Sequence, residues 1–234
     1  MLGQFRRHLA EHLGEIDTGL LKDPTVLEHA RFATASSRTL PGVFAESGAA
    51  VDCCQVGIWL RDYFADFGLK SFAKTSGSKG LQLYIPLNSA VDYSRTKGVS
   101  KGVAQQFERE KPKQVVSQQL KTLREGKVLI DWSQNDQYKT TVNVYSLRAR
   151  EHPTVSTPVT WDEVEECLSE RDPMRLRFTA DAVLERVSSF GDLFEPVLSL
   201  KQKLSAKLPT TETKKRAPRA GGGRSRQQGQ RRPA

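Results

Sequence analysis

Hydrophobic positions between Val51 and Leu200 recur with two periods, one helical and one extended, which predicts a mixed body of helices and strands. Cys53 to Phe67 sets Val56, Trp59, Leu60, Tyr63, Phe64 and Phe67 at helical spacing, and Gly68 follows where a helix would stop. Leu81 to Leu87 alternates as Leu-Gln-Leu-Tyr-Ile-Pro-Leu, a strand ended or edged by Pro86. Val99, Val103 and Phe107 form one face of the next helix. Val128-Leu129-Ile130 reads as a short buried strand, and Thr140 to Leu147, rich in β-branched residues, as its antiparallel neighbour. Thr160 with Glu163 forms a capping box that opens a helix toward Leu168.

Two polar interruptions of this pattern carry candidate chemistry. The first is Lys74-Thr75-Ser76-Gly77-Ser78-Lys79-Gly80, between two apolar runs. Glycine permits the backbone angles and close approach by which several N–H groups point at one anion, and Lys79 would add a full positive charge. The same composition also makes a plain hairpin with a solvated lysine. It is not a P-loop, because no Gly-x-x-x-x-Gly-Lys followed by Ser or Thr occurs in the chain. The second is Asp131, at the end of the Val128 strand. A carboxylate there faces a cleft or caps the turn opened by the polar stretch from Ser133 to Gln137.

These segments resemble the polymerase domain of bacterial ligase D and its stand-alone relatives, primase-polymerases of the archaeo-eukaryotic primase superfamily. The resemblance runs from Val51 to Val197 and is carried by Lys74 to Pro86, Leu123 to Asn135, Lys139 to Arg150 and His152 to Glu163, in that order. It implies an α+β fold with an RRM-like palm and flanking helices. By position, Ser76, Gly77 and Lys79 match the triphosphate-binding loop, and Arg124 matches an arginine that contacts the incoming nucleotide. Gln134 and Arg148 match further residues of the nucleotide pocket, and Asp131 matches the last of three metal-binding carboxylates. Gln82 stands where many members carry histidine. The implied activity is nucleotidyl transfer at DNA ends in non-homologous end joining. The implied cofactor is Mg or Mn, and the implied partners are DNA ends, nucleoside triphosphates, a DNA ligase and an end-binding protein.

The family's other two carboxylates form an Asp-x-Asp pair on a strand upstream of the loop. The window at that distance, Arg38-Thr39-Leu40-Pro41-Gly42-Val43-Phe44, contains no acid. Two-metal phosphoryl transfer needs enough negative charge to hold two cations about 4 Å apart. A single aspartate is too little for that, although one cation shared with substrate phosphates is compatible with it. Two readings follow: an impaired polymerase domain, or a non-catalytic nucleotide- and nucleic-acid-binding remnant.

Charge divides the chain. From Lys201 onward there are eleven Lys or Arg against one acid, Glu212, while the first 200 residues hold 25 basic and 26 acidic ones. The sequence thus reads as a near-neutral body over 51–200 and a basic, Gly- and Gln-rich disordered arm over 201–234. In that arm Lys214, Lys215, Arg216, Arg219, Arg224 and Arg226 suit contacts with phosphates. Residues 1–50 read as a divergent or misassigned segment with no family block, so the body is expected to lack its N-terminal part. His8, His12 and His29 lie there without metal-ligand spacing. Cys53, Cys54 and Cys167 suit a reducing compartment, and no signal peptide or membrane span is indicated, so the expectation is a bacterial cytoplasmic, nucleoid-associated protein.

Overall fold

A computed structural model of the chain describes residues 39–41, 50–136, 139, 141–149 and 151–211. His8, His12 and His29 lie outside them, as do the six basic residues from Lys214 to Arg226.

The first helix, α1 (Ala50–Ala65), forms on the predicted stripe. Val56, Leu60 and Phe64 are buried, Trp59, Tyr63 and Phe67 pack half-buried against the same core, and Gly68 ends the segment at φ +72°. Its buried face lies on a four-stranded antiparallel sheet ordered β1-β3-β2-β8, built from β1 (Thr39–Pro41), β2 (Phe72–Thr75), β3 (Leu81–Pro86) and β8 (Pro158–Val159). Ala73, Leu81, Leu83 and Ile85 meet α1 in the main core. Packing here is tight: a Cβ on Gly57 would stand 2.7 Å from Leu81 Cδ2.

A second helix, α2 (Tyr93–Glu110), opens with Asp92, whose carboxylate accepts the Arg95 N–H, and buries Val99, Val103 and Phe107 as the spacing predicts. The two-residue strands β4 (Val115–Val116) and β5 (Val128–Leu129) pair in parallel beside it. β6 (Leu147–Arg148) pairs with β7 (Thr154–Val155), and α3 (Trp161–Glu170) opens with the expected reciprocal capping box between Thr160 and Glu163. α4 (Ala180–Phe190) and the single-turn α5 (Glu195–Ser199) complete the α+β body. Among the described residues no helix is long and apolar enough to cross a membrane.

Two expectations are corrected. The run from Thr140 to Leu147 is not the antiparallel neighbour of the Asp131 strand: that strand pairs in parallel with β4, and only Leu147 with Arg148 forms a strand, against β7. Residues 141–146 run irregularly, with the Asn143 side chain accepting the Val144 N–H and Tyr145 at φ +62°. Their β-branched character serves packing instead, since Val144 is buried against Phe194 and Val197.

The boundary at 201 is also too early, because the chain stays packed to Thr211. Leu208 is 2% exposed, Leu204 joins the main core, and the Thr211 N–H donates to Gly98 O at 3.1 Å. Gly102 permits this return, as a Cβ there would stand 2.6 Å from Pro209 O. Leu208→Ala is therefore expected to lower stability by about 2–5 kcal/mol in urea titration, the range for emptying a buried leucine site. An unchanged midpoint would return this segment to the arm.

Candidate nucleotide site

The loop joining β2 to β3 is a closed hairpin. The Ser76 N–H donates to Gly80 O (2.8 Å), and the Gly80 N–H donates back to Ser76 Oγ (3.1 Å). Gly77 sits at φ +65°, where a side chain would be strained, and its carbonyl accepts from Thr154 Oγ1 at 2.6 Å. A Cβ on Gly77 would stand 2.6 Å from Arg148 Cγ and 3.0 Å from Ser156 N, so the arginine lies directly against the glycine. The Cys53 thiol donates to Lys79 O at 3.5 Å, while the Lys79 and Ser78 side chains are exposed. Ser76, Gly77, Lys79 and Arg148 are thus brought together, with two cationic side chains around a turn fixed from below.

Asp131 builds a second group. It is 4% exposed and follows β5, where Ile130 is buried. Its Oδ1 accepts from Gln119 Nε2 (2.7 Å), the Ser133 N–H (3.0 Å) and Ser133 Oγ (2.6 Å), and its Oδ2 accepts from Gln134 Nε2 (3.0 Å). The turn-capping reading of this residue is realised: it caps the single turn Trp132–Gln134, and neighbouring polar groups converge on it. Arg124 reaches the group through Gln119, donating to its backbone oxygen and, at 3.0 Å, to its side-chain oxygen, while its buried Nε has no acceptor. Lys139 donates to Ser133 Oγ at 2.6 Å.

Asp131, Arg124 and Gln134 form one contact group and Ser76, Gly77, Lys79 and Arg148 the other. A cavity of about 530 Å³ opens on the loop. Thr75, Gly77 to Leu81, Cys54, Thr154, Met174 and Arg177 line it, whereas Ser76, Arg148 and Asp131 do not. That cavity opens on the turn and does not reach Asp131.

Several participants escaped the sequence reading. Gln119 and Ser133 carried no signal of their own. Nor did Lys74, which is completely buried within β2. Gln82 is buried too, its amide oxygen accepting from the Tyr84 hydroxyl at 3.1 Å, so where a histidine would offer a ring nitrogen this chain presents a neutral amide already engaged. The three cysteines are buried free thiols, with Cys54 and Cys167 sulfurs 3.5 Å apart. Burial, then the Asp52 charge, pushes the Cys53 thiol up to about 12, which keeps it protonated and inert at neutral pH.

The donor set tests the two-metal expectation. Among the described residues no three His, Cys, Asp or Glu side chains come together, and β1 carries Thr39, Leu40 and Pro41. Among the described residues Asp131 offers a single carboxylate here, which fits one divalent cation completed by substrate phosphates and water.

Comparison with known proteins accords with this geometry. The family model described as "LigD, primase-polymerase domain" matches residues 45–194. The chain is 42% identical over 144 residues to "Multifunctional non-homologous end joining protein LigD" of Mycolicibacterium smegmatis, covering 62% of this chain and 18% of that protein. It is 47% identical over 136 residues to the Mycobacterium tuberculosis LigD, covering 58% and 17%, so it spans under a fifth of either relative. Among solved structures, the "Polymerase Domain from Mycobacterium tuberculosis Ligase D in complex with DNA" superposes with a TM-score of 0.63 at 40% identity, covering 70% of this chain and 56% of that one. With a family match over more than half its residues and an α+β body that superposes on that polymerase domain, the chain belongs to the LigD primase-polymerase domain family.

Proposed function

We propose that this chain binds a nucleoside triphosphate at the β2–β3 turn and DNA at its ends, in the service of non-homologous end joining, with nucleotidyl transfer impaired. The observation that carries this reading is the rigid turn at Ser76 to Gly80, with Arg148 against Gly77 and Lys79 free to reach out. A fixed turn flanked by two cations suits a polyphosphate, since charge-assisted hydrogen bonds are about twice as strong as neutral ones. Gln134 and Arg124 would orient the nucleotide from the Asp131 side. The relative solved with DNA supports DNA as the second ligand. A bacterial DNA ligase and an end-binding protein are the partners such a domain would serve, on the chromosome in the cytoplasm.

Impairment follows from charge. Mg or Mn would supply Lewis acidity and neutralise charge on the phosphates, and Asp131 is the residue that would hold it. Its two oxygens already accept four hydrogen bonds, and the described residues give it no second carboxylate. The absence of an acid in Arg38 to Phe44 favours the further reading of a binding protein without turnover.

Three outcomes test the proposal. Lys79→Ala and Arg148→Ala are each expected to weaken triphosphate binding by about tenfold, close to 1.4 kcal/mol, as the loss of one charged hydrogen bond requires. Calorimetric titration measures it, and unaltered affinity in both variants would remove the turn from the site. Primer extension with Mn and either kind of nucleotide is expected to be feeble, whereas vigorous extension abolished by Asp131→Ala would overturn the claim of impairment. Deleting residues 214–234, which hold eight Lys or Arg, is expected to weaken duplex binding and flatten its dependence on salt. An identical salt slope after deletion would exclude that segment from DNA binding.

A further inference from the structure

Lys74 is a completely buried lysine for which the proposed nucleotide chemistry has no use. Its Nζ donates to Val142 O at 3.0 Å and to Ser156 Oγ at 2.6 Å, and it lies 5.8 Å from the centre of the Tyr84 ring. Ser156 Oγ donates in turn to Thr75 O at 2.8 Å, which leaves it an acceptor toward the lysine. A neutral amine has two hydrogens and finds two acceptors. An ammonium would bring a third hydrogen, and the contacts described leave it only the face of the tyrosine ring.

The surroundings disfavour charge. Tyr84 from β3 is neutral, with its hydroxyl turned to Gln82, and the hydroxyls of Thr75 and Ser156 are neutral as well. Arg148, from β6, is the charged neighbour and is positive. Burial first, and then Arg148, hold the proton affinity of Lys74 well below the ordinary lysine value of 10.5. None of its hydrogen-bond partners is a carboxylate.

The amine and the cradle share Ser156. Ser156, which holds Nζ through its side chain, has its backbone nitrogen 3.0 Å from where a Cβ on Gly77 would stand, and Arg148 packs on the same glycine. Several negative charges placed over Gly77 would pair with Arg148, cancel its repulsion of Lys74 and reverse the sign of the field at Nζ.

We infer that Lys74 is an uncharged amine while the cradle is empty and takes one proton from solvent when a polyphosphate settles over Gly77, so that nucleotide binding is coupled to proton uptake. The inference rests on the reading of the turn as a triphosphate site. Lys74 then acts as a positioning and charge-matching residue, not a catalytic one. It makes the site favour highly charged nucleotides over nucleosides, and affinity rises as pH falls, by up to about tenfold per unit between the proton affinities of the free and bound states.

Calorimetric titration of the full chain with a non-hydrolysable nucleoside triphosphate, free of divalent cation at about pH 8 in buffers of differing ionisation enthalpy, counts the protons exchanged. The expected result is uptake approaching one proton per nucleotide, lost in Lys74→Met while binding heat persists. Binding without uptake, or equal uptake in Lys74→Met, overturns the coupling and leaves the triphosphate site standing; absence of binding by the unaltered chain overturns both. Should Lys74→Met fail to fold, the Cε resonance of Lys74 in the unaltered, empty protein decides the matter: the chemical shift of a neutral amine at about pH 8 is expected, and that of an ammonium refutes the inference.

Discussion

Docking of residues 154–157 beneath the turn between β2 and β3 is the constraint on which the rest of this structure depends. The Thr75 N–H donates to Thr157 O at 2.8 Å, the Thr157 N–H donates to Thr75 Oγ1 at 3.1 Å, Ser156 Oγ donates to Thr75 O at 2.8 Å, and Thr154 Oγ1 donates to Gly77 O at 2.6 Å. All these groups are buried, and each would cost about 1–3 kcal/mol if left without a partner. Satisfied together, they lock a glycine turn that would otherwise sample many shapes. A ligand that meets it need not pay to order it. The same docking seats β8 against β2 and delivers Arg148 to Gly77, so sheet closure and site assembly are one event.

Asp131 shows how neutral donors hold a nearly buried carboxylate. Four donated hydrogen bonds from Gln119, Ser133 and Gln134 spread its charge over neutral dipoles. That is ample to keep it in place. A cation approaching it would have to compete with those donors, Gln119 foremost because Arg124 also holds it.

What the sequence disclosed was whatever is settled locally. The stripe on α1, the alternation in β3 and the Thr160–Glu163 capping box depend on residues within a few positions of one another, and each stands as expected. The Gly, Ser and Lys of the turn were readable for the same reason. The partners of Lys74 lie 68 and 82 residues away, so its burial could not be seen in a strand that shows only Phe-Ala-Lys-Thr. Val144 misled because strand preference reports a half-buried surface, and here its burial comes from Phe194 and Val197 without a ladder partner. Net charge masked the packing of 201–211, where two leucines and backbone contacts with α2 outweigh three lysines.

Gln202 adds a consequence for how the chain reaches its native state. Its side-chain amide donates to Lys70 O and Pro86 O, its side-chain oxygen accepts the Lys70 N–H, and its backbone N–H donates to Leu87 O. One glutamine therefore clasps the outer ends of both central strands, from 132 residues beyond Lys70 and 116 beyond Pro86. Contacts so distant along the chain place the domain among slow folders, because the entropy of closing long loops precedes their reward. Until that clasp closes, the outer ends of β2 and β3 lack these four hydrogen bonds, so this corner of the sheet waits on a segment that leaves the ribosome more than a hundred residues later.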